Sequence, residues 1–344
     1  MGDIRVERLS PHSAELWDRF VWKEPAATFF HLSGWKTAIE RSIGHECPYL
    51  IATRDGVASG IFPLVHLRTT FFGHSLVSMA FCAYGGPVAA DAETAKALEG
   101  AARELANQLG VDYLEYRLQR PSGLQRPVEA ELYATFRKTL PTDADSAFRM
   151  IPRKRRAELR KALSAKLTVS VDRDIDRFYA LYATNVHRHG TPVLPRRYFR
   201  MLSEVFGKEC EVTSVFRGGD AIASLLTFYF RDCVLPYYAG GLAVARDLAA
   251  HDLIYWDVMC RAMERRVHIF DFGRSKHGTG AFLYKRTWGF EPTPLHYEYL
   301  LLRRSSIPRI NPLNPRYRLL ISLWKRLPLA VANALGPRIA RDLG

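Results

Sequence analysis

The chain has 344 residues, of which 48% are hydrophobic and 24% charged, and its formal net charge is +14. This composition excludes a wholly disordered protein, and the length favours two domains. No stretch approaches the roughly 20 apolar residues of a membrane span, and the N-terminus lacks the apolar run of a secretory signal. Five widely spaced cysteines without a C-x-x-C pair indicate reduced thiols, so we expect a cytoplasmic protein.

The first half of the chain predicts four consecutive elements. "PYLIATRDGVASGIFPLVHLR" (48–68) reads as two β-like runs around an Arg-Asp-Gly turn. An aromatic strand that ends in two glycines, "FCAYGGPV" (81–88), comes next. A helical stretch (92–109) then leads into the short strand "VDYLEYR" (111–117), which carries Glu115 near its end. This order of hairpin, strand, helix and strand is typical of an α/β unit.

The second half repeats this order. A hairpin pattern (211–232) is followed by "LPYYAGGL" (235–242), a helical stretch (248–266) and the strand "VHIFDFG" (267–273), which carries Asp271. The shared order predicts an internal duplication, with two α/β units that face each other across a cleft.

Two residue pairs match between the predicted units. Glu115 and Asp271 lie 156 residues apart, and Gly85 and Gly240 lie 155 apart. Between the halves, "LPTDADSAF" (140–148) has the composition of a linker and helix cap. We therefore predict a domain at 1–145, a second domain with a leading basic helix at 146–302, and a basic amphipathic tail at 303–344.

The positive charge is concentrated in two strips. Residues 149–166 hold eight Lys or Arg against one Glu, and residues 303–344 hold nine against Asp342 alone. Such strips raise the local concentration of anionic partners. Three classes stay open: a phosphate-bearing substrate, an RNA such as tRNA, or an anionic membrane surface. A basic helix at 153–166 is suited to tRNA or another polyanion, and the alternative is a solvated helix face.

Several motifs in this order resemble a known family. They are "TFFHLSGWK", "YGGPV", "IPRKRRAELRKA", "HRHGTPVLPRRYF", "YYAGG" and "FDFGRS…YKRTWGFEP". The second half is similar to the acyl-CoA N-acyltransferase (GNAT) fold. Its segment "YKRTWGF" resembles the Tyr-x-x-x-Gly-Phe ending of that fold, with one extra residue. Two such units resemble the FemAB aminoacyl transferases, which act on peptidoglycan precursors. The likeness covers most of residues 20–302 and is nearest to the subgroup associated with exosortase and exopolysaccharide systems.

The resemblance implies two tandem GNAT-like domains, with mixed central sheets flanked by helices, and an N-acyltransferase activity. The acceptor would be an amine on a phosphate-bearing envelope or exopolysaccharide precursor, either a small molecule or a lipid-linked one. No tightly bound cofactor is expected. The donor stays open between aminoacyl-tRNA and acyl-CoA. "LAVARDLAAHDL" stands where the GNAT pyrophosphate loop is expected, which counts against acyl-CoA, although a helix N-terminus near His251 can still hold a phosphate.

Catalytic candidates lie in the stretch after the strand of Asp271. Burial at a strand end can raise the pKa of Asp271 toward that of a general base, or Asp271 merely orients a neighbour if proton transfer is substrate-assisted. By resemblance, Lys285 would neutralise a phosphate or the developing oxyanion. Three further cations are candidate phosphate ligands: Arg274, Lys276 and Arg286. The alternative is a solvated loop in which Asp271 pairs with Arg274.

Other binding candidates lie outside that loop. By resemblance, Lys36 contacts the phosphates of a carrier-linked acceptor; the alternative is an exposed helix lysine. In "NVHRHGTPVLPRRYF" (185–199), Arg188 and His189 are expected in a loop that clamps an anionic acceptor. A metal is not expected there, because a third ligand has no obvious source. Three tyrosines that precede glycines are expected to line the cleft or to pack in the core: Tyr84, Tyr237 and Tyr238.

The tail at 314–343 mixes aliphatic residues with arginine and lysine. Lys325 and Arg326 interrupt its apolar run, and Pro328 and Pro337 break any long helix. This pattern favours either contact with the anionic inner-membrane surface or docking onto the protein's own surface. A different function class also stays open, namely a non-catalytic RNA- or membrane-binding adaptor built on a transferase fold. The sequence does not determine the oligomeric state.

Overall fold

A computed structural model describes residues 3–69, 73–307 and 315–344. Part of the predicted tail, residues 308–314, lies outside this range. By their contacts, the described residues form two compact units. Unit 1 contains residues 3–69, 73–132, 294–307 and 341–344, and unit 2 contains residues 133–293 and 315–340.

The described elements alternate between strands and helices along the chain. The strands of the first part are β1 (Ile4–Arg8), β2 (Leu50–Arg54), β3 (Val57–Phe62), β4 (Leu64–Thr69), β5 (Gly73–Ser78), β6 (Val88–Ala89), β7 (Tyr113–Leu118), β8 (Val128–Glu129) and β9 (Tyr133–Thr139). The later strands are β10 (Thr168–Asp172), β11 (Cys210–Arg217), β12 (Asp220–Phe230), β13 (Cys233–Gly241), β14 (Ile269–Asp271), β15 (Ser275–Lys276), β16 (Pro292–Pro294) and β17 (His296–Leu301). The helices are α1 (Ala14–Lys23), α2 (Gly34–Ser42), α3 (Ala92–Leu109), α4 (Ala144–Met150), α5 (Arg153–Ser164), α6 (Ile175–His189), α7 (Arg196–Phe206), α8 (Ala243–Asp247), α9 (Ala250–Glu264), α10 (Gly280–Thr287), α11 (Pro315–Arg326) and α12 (Leu329–Ala340).

Unit 1 contains two sheets. One has the strand order β1-β2-β3-β6, and the other has the order β4-β5-β7-β17-β8. Buried side chains of α3, such as Leu98 and Ala102, pack with Leu50, Phe62 and Leu114 from the strands. The apolar face of α3 recurs every three to four residues, so the helix covers the sheet with one side and faces solvent with the other.

Unit 2 is built on one larger sheet of order β10-β11-β12-β13-β14-β9-β15, with β16 paired to β9. Strand β12 is buried from Ile222 to Phe230, because helices cover the sheet. The helix α9 packs its buried residues Leu253, Val258 and Ala262 into this core. The fold is therefore mixed α/β in both units, as the sequence predicts.

Helix ends lie where the sequence provides caps. The side chain of Asp143 accepts a hydrogen bond from the Ser146 amide at 2.7 Å, which confirms the cap predicted in the segment between the halves. The predicted helix at 92–109 is confirmed as α3, which begins after Asp91 and ends at Gly110 with φ of 65°. The basic helix predicted at 153–166 is confirmed as α5 (Arg153–Ser164), which begins after Pro152 and is separate from α4.

Each unit completes its sheet with a strand from the other half of the sequence. Strand β9 lies within the predicted first domain (1–145), but it pairs with β14 in unit 2. Strand β17 lies within the predicted second domain (146–302), but it pairs with β7 in unit 1. The units are therefore not the two linear ranges predicted. The reason is that antiparallel pairing between distant strands leaves no local pattern in a sequence.

Strand register confirms the internal duplication. In the first hairpin Arg54 pairs with Val57, in the second Arg217 pairs with Asp220, and each hairpin has a bulge at the same place. The parallel pairs also correspond. Ser75 lies opposite Tyr113 in unit 1, and Cys233 lies opposite Ile269 in unit 2. Two residues beyond Tyr113 and Ile269, the register places Glu115 and Asp271 at equivalent positions, as predicted.

The predicted match of Gly85 with Gly240 is wrong. Gly240 pairs with Ser224, and the residue that pairs at the equivalent place of unit 1 is Val88, opposite Ile61. The difference arises from the segment before this position, which has nine residues in unit 1 (79–87) and three in unit 2 (237–239). A longer segment shifts the glycines without changing the strand order.

Candidate active site in the second unit

The site is built where two parallel strands separate. Strand β13 has nine residues, but only Cys233 and Val234 pair with β14. Beyond them β14 ends at Asp271, whereas β13 continues to Gly241 with a bulge at Tyr237. In the described part of the chain, no strand is paired with β13 beyond Val234 on the β14 side, so the two strands diverge there.

Lys285 lies beside this opening. Thr279 caps the start of α10, so the helix directs Lys285 back toward the turn after β14. The Lys285 Nζ donates to the carbonyl of Gly273 at 2.9 Å and to that of Arg274 at 3.2 Å. Burial lowers the pKa of Lys285 to about 7, although Asp271 raises it and Arg274 lowers it further. Near neutral pH the amine is therefore divided between its charged and neutral forms.

Asp271 holds the turn that presents those carbonyls. The residue is 1% exposed. One carboxylate oxygen accepts from the Gly273 amide at 2.7 Å and from the Thr135 hydroxyl at 3.1 Å, and the other lies 3.4 Å from Arg137 Nε. Gly273 has φ of 68°, which favours glycine. These contacts support a positioning role, and the general-base role of Asp271 stays a prediction.

The other three cations that follow Asp271 lie in different surroundings. The guanidinium of Arg274 lies 4.6 Å from the ring centroid of Tyr133, and Lys276 belongs to β15, where it pairs with Tyr133 of β9. Arg286 is exposed on α10. Of the four cations that the sequence places behind Asp271, the structure directs Lys285 onto the turn itself.

The two tyrosines of the bulge differ in their surroundings. Tyr238 packs edge-on against Tyr182 and Phe199, and its hydroxyl lies 3.2 Å from that of Tyr198, so it belongs to an aromatic cluster. Tyr237 is half-buried, and its ring lies 4.7 Å from that of Tyr238. A Cβ added at Gly273 would lie 3.6 Å from the Tyr237 ring. Tyr237 is thus the tyrosine at the strand opening.

Arg188 and His189 lie in the last turn of α6, not in the predicted loop. The guanidinium of Arg188 donates to the Asn185 side chain at 2.8 Å and to the Gly241 carbonyl at 3.4 Å, so it reaches the end of β13. Burial, Arg188 and Lys325 lower the pKa of His189, which is therefore neutral at physiological pH. Of these two residues, Arg188 is therefore the one that supplies a positive charge near this end of the opening.

Lys36 and Tyr84 belong to unit 1 and are engaged there. The Lys36 Nζ donates to Glu40 at 2.6 Å and to the Cys47 carbonyl at 2.7 Å, so it is not a freely exposed helix lysine. Tyr84 is 3% exposed and packs edge-on against Phe30 with ring centroids 5.0 Å apart. The core alternative therefore describes Tyr84, because a side chain this buried presents no surface to a ligand.

His251 does not act as a cationic phosphate ligand. Burial lowers its pKa to about 4, Arg188 lowers it further, and a hydrogen bond to the Gly240 backbone partly opposes this. The imidazole is therefore neutral near pH 7. A phosphate at the start of α9 would therefore be bound by backbone N–H groups and not by an imidazolium.

A buried ion pair fastens the helix that carries Lys285, and sequence reasoning missed it. Arg155 of α5 donates to Asp252 at 2.8 Å and to Thr287 at 2.6 Å, and the Tyr284 hydroxyl donates to the same Asp252 oxygen at 3.2 Å. Burial raises the pKa of Asp252 and Arg155 opposes this. The available signal was a carboxylate within the apolar stretch "HDLIYWDV".

Comparison with known proteins identifies the fold. Residues 146–286 match the family model described as an acetyltransferase (GNAT) domain. No curated protein matches the chain. The chain is similar to the crystal structure of FemX, with 14% identity and a TM-score of 0.66 over 87% of this chain and 98% of that one.

Two further solved structures are similar over both units. One is the C-terminal domain of a putative lysylphosphatidylglycerol synthetase from Agrobacterium fabrum, with 12% identity, a TM-score of 0.57 and coverage of 86% of this chain and 92% of that one. The other is a tandem GNAT protein from the clavulanic acid biosynthesis pathway, with 12% identity, a TM-score of 0.55 and coverage of 89% and 100%. At such identities the likeness shows the fold alone, which is that of tandem GNAT proteins.

Proposed function

We propose that the protein is an N-acyltransferase that transfers an aminoacyl or acyl group to an amine. The observation that carries this proposal is the opening between β13 and β14, with the Lys285 amine beside it. The match of residues 146–286 to an acetyltransferase domain supports the same reaction class.

The donor would bind between β13 and β14, where the two strands diverge. Its acyl carbonyl would lie near Lys285, and its anionic carrier would extend toward the start of α9 and Arg188. We propose acyl-CoA or aminoacyl-tRNA as the donor. Both carry an acyl group activated by a leaving sulfur or oxygen, and both carry phosphates. The fold supports acyl-CoA, and the resemblance to FemAB enzymes supports aminoacyl-tRNA.

The reaction forms one bond and breaks another. The acceptor nitrogen attacks the acyl carbon and forms the amide bond, while the bond from that carbon to the carrier sulfur or oxygen breaks and its electron pair leaves with the carrier. The nitrogen loses a proton to a base or to solvent. In its charged form, Lys285 would donate a hydrogen bond to the oxyanion of the tetrahedral intermediate. Asp271 would keep the Gly273 turn and therefore Lys285 in position.

The acceptor we propose is an amine on a phosphate-bearing envelope or exopolysaccharide precursor. One observation supports an anionic acceptor: Arg286, the residue after Lys285, is exposed on α10. Cations near a binding site raise the local concentration of anionic ligands. The similarity to FemX and to a putative lysylphosphatidylglycerol synthetase is consistent with this choice.

A donor screen with matched lysine variants tests the proposal. Labelled acyl-CoAs and aminoacyl-tRNAs are incubated with envelope lipid extracts and the protein, and transfer of label is measured. Lys285→Met should lower turnover by about 10²–10³-fold, as loss of an oxyanion donor does. Lys138→Met is the matched control, because Lys138 is also half-buried and donates to a backbone carbonyl, that of Gly289 at 2.9 Å.

The outcomes separate the two function classes. Retained turnover in a folded Lys285→Met protein contradicts the proposed role of Lys285. If no donor yields transfer, and Lys285→Met weakens only salt-sensitive binding of tRNA or lipid, the protein is a binding adaptor and not a transferase.

A further inference from the structure

Exposed apolar side chains are concentrated at the end of the chain. Of 15 large hydrophobic residues that are exposed in the described part of the protein, eight lie between residues 319 and 343. They are Leu319, Leu320, Leu323, Leu329, Val331, Leu335, Ile339 and Leu343. Scattered single apolar residues are ordinary on a protein surface, whereas a concentrated set indicates an interaction surface.

These side chains are exposed although α11 and α12 are docked. Both helices contact α6. On α12 the buried residues Ala332, Gly336 and Ala340 recur every four residues, and a Cβ added at Gly336 would lie 3.0 Å from the Val193 amide nitrogen. On α11, the Trp324 carbonyl lies 3.1 Å from the His187 ring. Docking onto the protein's own surface therefore occurs, but it uses only one face of each helix.

The outward faces carry rows of aliphatic side chains. On α12, Val331, Leu335 and Ile339 recur every four residues and are each 41% exposed. On α11, Leu319, Leu320 and Leu323 are 67%, 61% and 51% exposed. Residues spaced by three or four lie on one side of a helix, so each row is a continuous apolar strip.

Positive charge borders both strips. Arg326 lies three residues after Leu323, and Arg338 lies three after Leu335, so each arginine adjoins the row on its own helix. Lys325 is also exposed. The sequence between residues 315 and 340 contains no Asp or Glu. A surface of aliphatic rows with only positive charges complements an anionic bilayer, where apolar burial and electrostatic attraction act together.

We infer that α11 and α12 form a surface that binds anionic lipid bilayers without spanning them. No helix in the described residues is long and apolar enough to cross a membrane. A protein partner fits less well, because protein interfaces are enriched in Tyr, Trp and Phe, and the exposed rows contain only Leu, Val and Ile. The inference does not depend on the transferase chemistry, since it concerns exposed side chains of α11 and α12 that the proposed reaction does not use.

Vesicle co-sedimentation tests this inference. The full-length protein should sediment with vesicles of phosphatidylcholine and phosphatidylglycerol, bind weakly to phosphatidylcholine alone, and dissociate as salt rises. The double variant Leu320→Gln/Leu323→Gln should lower the partition coefficient by about tenfold or more, since it removes two inserting side chains. Leu124→Gln/Leu163→Gln is the matched control, because those leucines are 55% and 53% exposed elsewhere on the protein.

Variants that reverse the charge of the arginines provide a second test of the inference. Arg326→Glu/Arg338→Glu should weaken binding to anionic vesicles more than Lys23→Glu/Lys208→Glu, which makes the same change in net charge at other exposed positions. Equal effects of test and control variants, or equal binding to neutral vesicles, would overturn the inference. So would self-association that Leu320→Gln/Leu323→Gln abolishes while vesicle binding is absent, because the strips would then bind a second copy. Circular dichroism confirms that each variant is folded.

Discussion

The two units share a strand register around their matched acids, yet they surround those acids differently. In unit 1, Glu115 pairs with Arg117 on its own strand, with Oε1 and Nε 2.7 Å apart. In unit 2, Asp271 pairs with Arg137 on the neighbouring strand, and Gly273 occupies the place that corresponds to Arg117. The glycine leaves a backbone turn whose Gly273 and Arg274 carbonyls accept from Lys285, where unit 1 has a buried guanidinium.

The two units also differ at the place where their parallel strands separate. In unit 1 the longer segment at 79–87 returns to β7, where the Gly85 amide donates to the Arg117 carbonyl at 3.0 Å. Arg117 in turn donates to the Cys82 carbonyl at 3.3 Å and to the Gly344 carbonyl at 2.9 Å. Protein groups therefore fill the place that is open in unit 2. The comparison teaches that one copy of the duplicated unit serves as a filled scaffold, and the other keeps the opening and the lysine.

The largest expected difference is between the losses of stability that follow from substituting the two matched acids, Glu115 and Asp271. Glu115→Gln should lower the free energy of unfolding by about 3–5 kcal/mol, because it leaves the buried charge of Arg117 without its carboxylate. Asp271→Asn should cost about 1–2 kcal/mol, because the side chain of Arg137 is 38% exposed and water can solvate it. Urea unfolding measures both. Equal losses would show that the two surroundings do not differ as described.

A substitution at Gly240, whose predicted match with Gly85 is wrong, should have a smaller effect on stability. A Cβ at Gly240 would collide with the Tyr182 backbone of α6, whereas the equivalent Val88 of unit 1 has a full side chain. Gly240→Ala should therefore destabilise by about 1–3 kcal/mol. Gly100→Ala is the control, because a Cβ there has no atom within 4 Å and α3 should gain up to about 1 kcal/mol. If Gly240→Ala is as harmless as the control in thermal unfolding, α6 does not approach β13 this closely.

Unit 2 should also show a pH dependence of stability that it owes to Lys285. Its pKa in the folded protein is about 7, because the amine is buried, and the ordinary value is about 10.4. The unfolded chain therefore binds the proton more tightly, so stability from this group is present above about pH 10 and is lost as pH falls toward 7. Lys285→Met should flatten this part of the profile of urea midpoint against pH.

Labelling provides an independent reading of the same pKa. Competitive acetylation, followed by peptide mass spectrometry, should show Lys285 becoming reactive with an inflection near pH 7, because the neutral amine is the nucleophile. A Lys285 reactivity that shows no inflection near pH 7 would contradict the buried environment assigned to this residue.

The sequence predicted the parts of the fold that have local or periodic signals. The hairpins, helix α3 and the match of Glu115 with Asp271 follow from alternation, capping and order along the chain, and the structure confirms them. The exchange of β9 and β17 does not follow, because either strand would complete either sheet and only long-range pairing decides.

The sequence predicted only part of the candidate site, because some of its contacts also depend on long-range pairing. Asp271 and Lys285 lie within fifteen residues of one another, so the sequence could place them together. Arg137 and Thr135 reach Asp271 from a strand more than 130 positions earlier, and Arg155 reaches Asp252 from a helix that reads as a uniform basic face. Neither contact has a local signal. The burial of Tyr84 was also open, since an aromatic residue before glycines suits a core and a cleft equally.

Amide hydrogen exchange with and without the acyl donor tests the central claim most directly. The claim is that the opening in unit 2, and not its filled counterpart in unit 1, binds the donor. Donor binding should slow exchange in residues 235–241 and 272–276 and leave residues 79–88 unchanged. Slowed exchange in 79–88, or a bound donor that protects neither strand edge, would contradict the account.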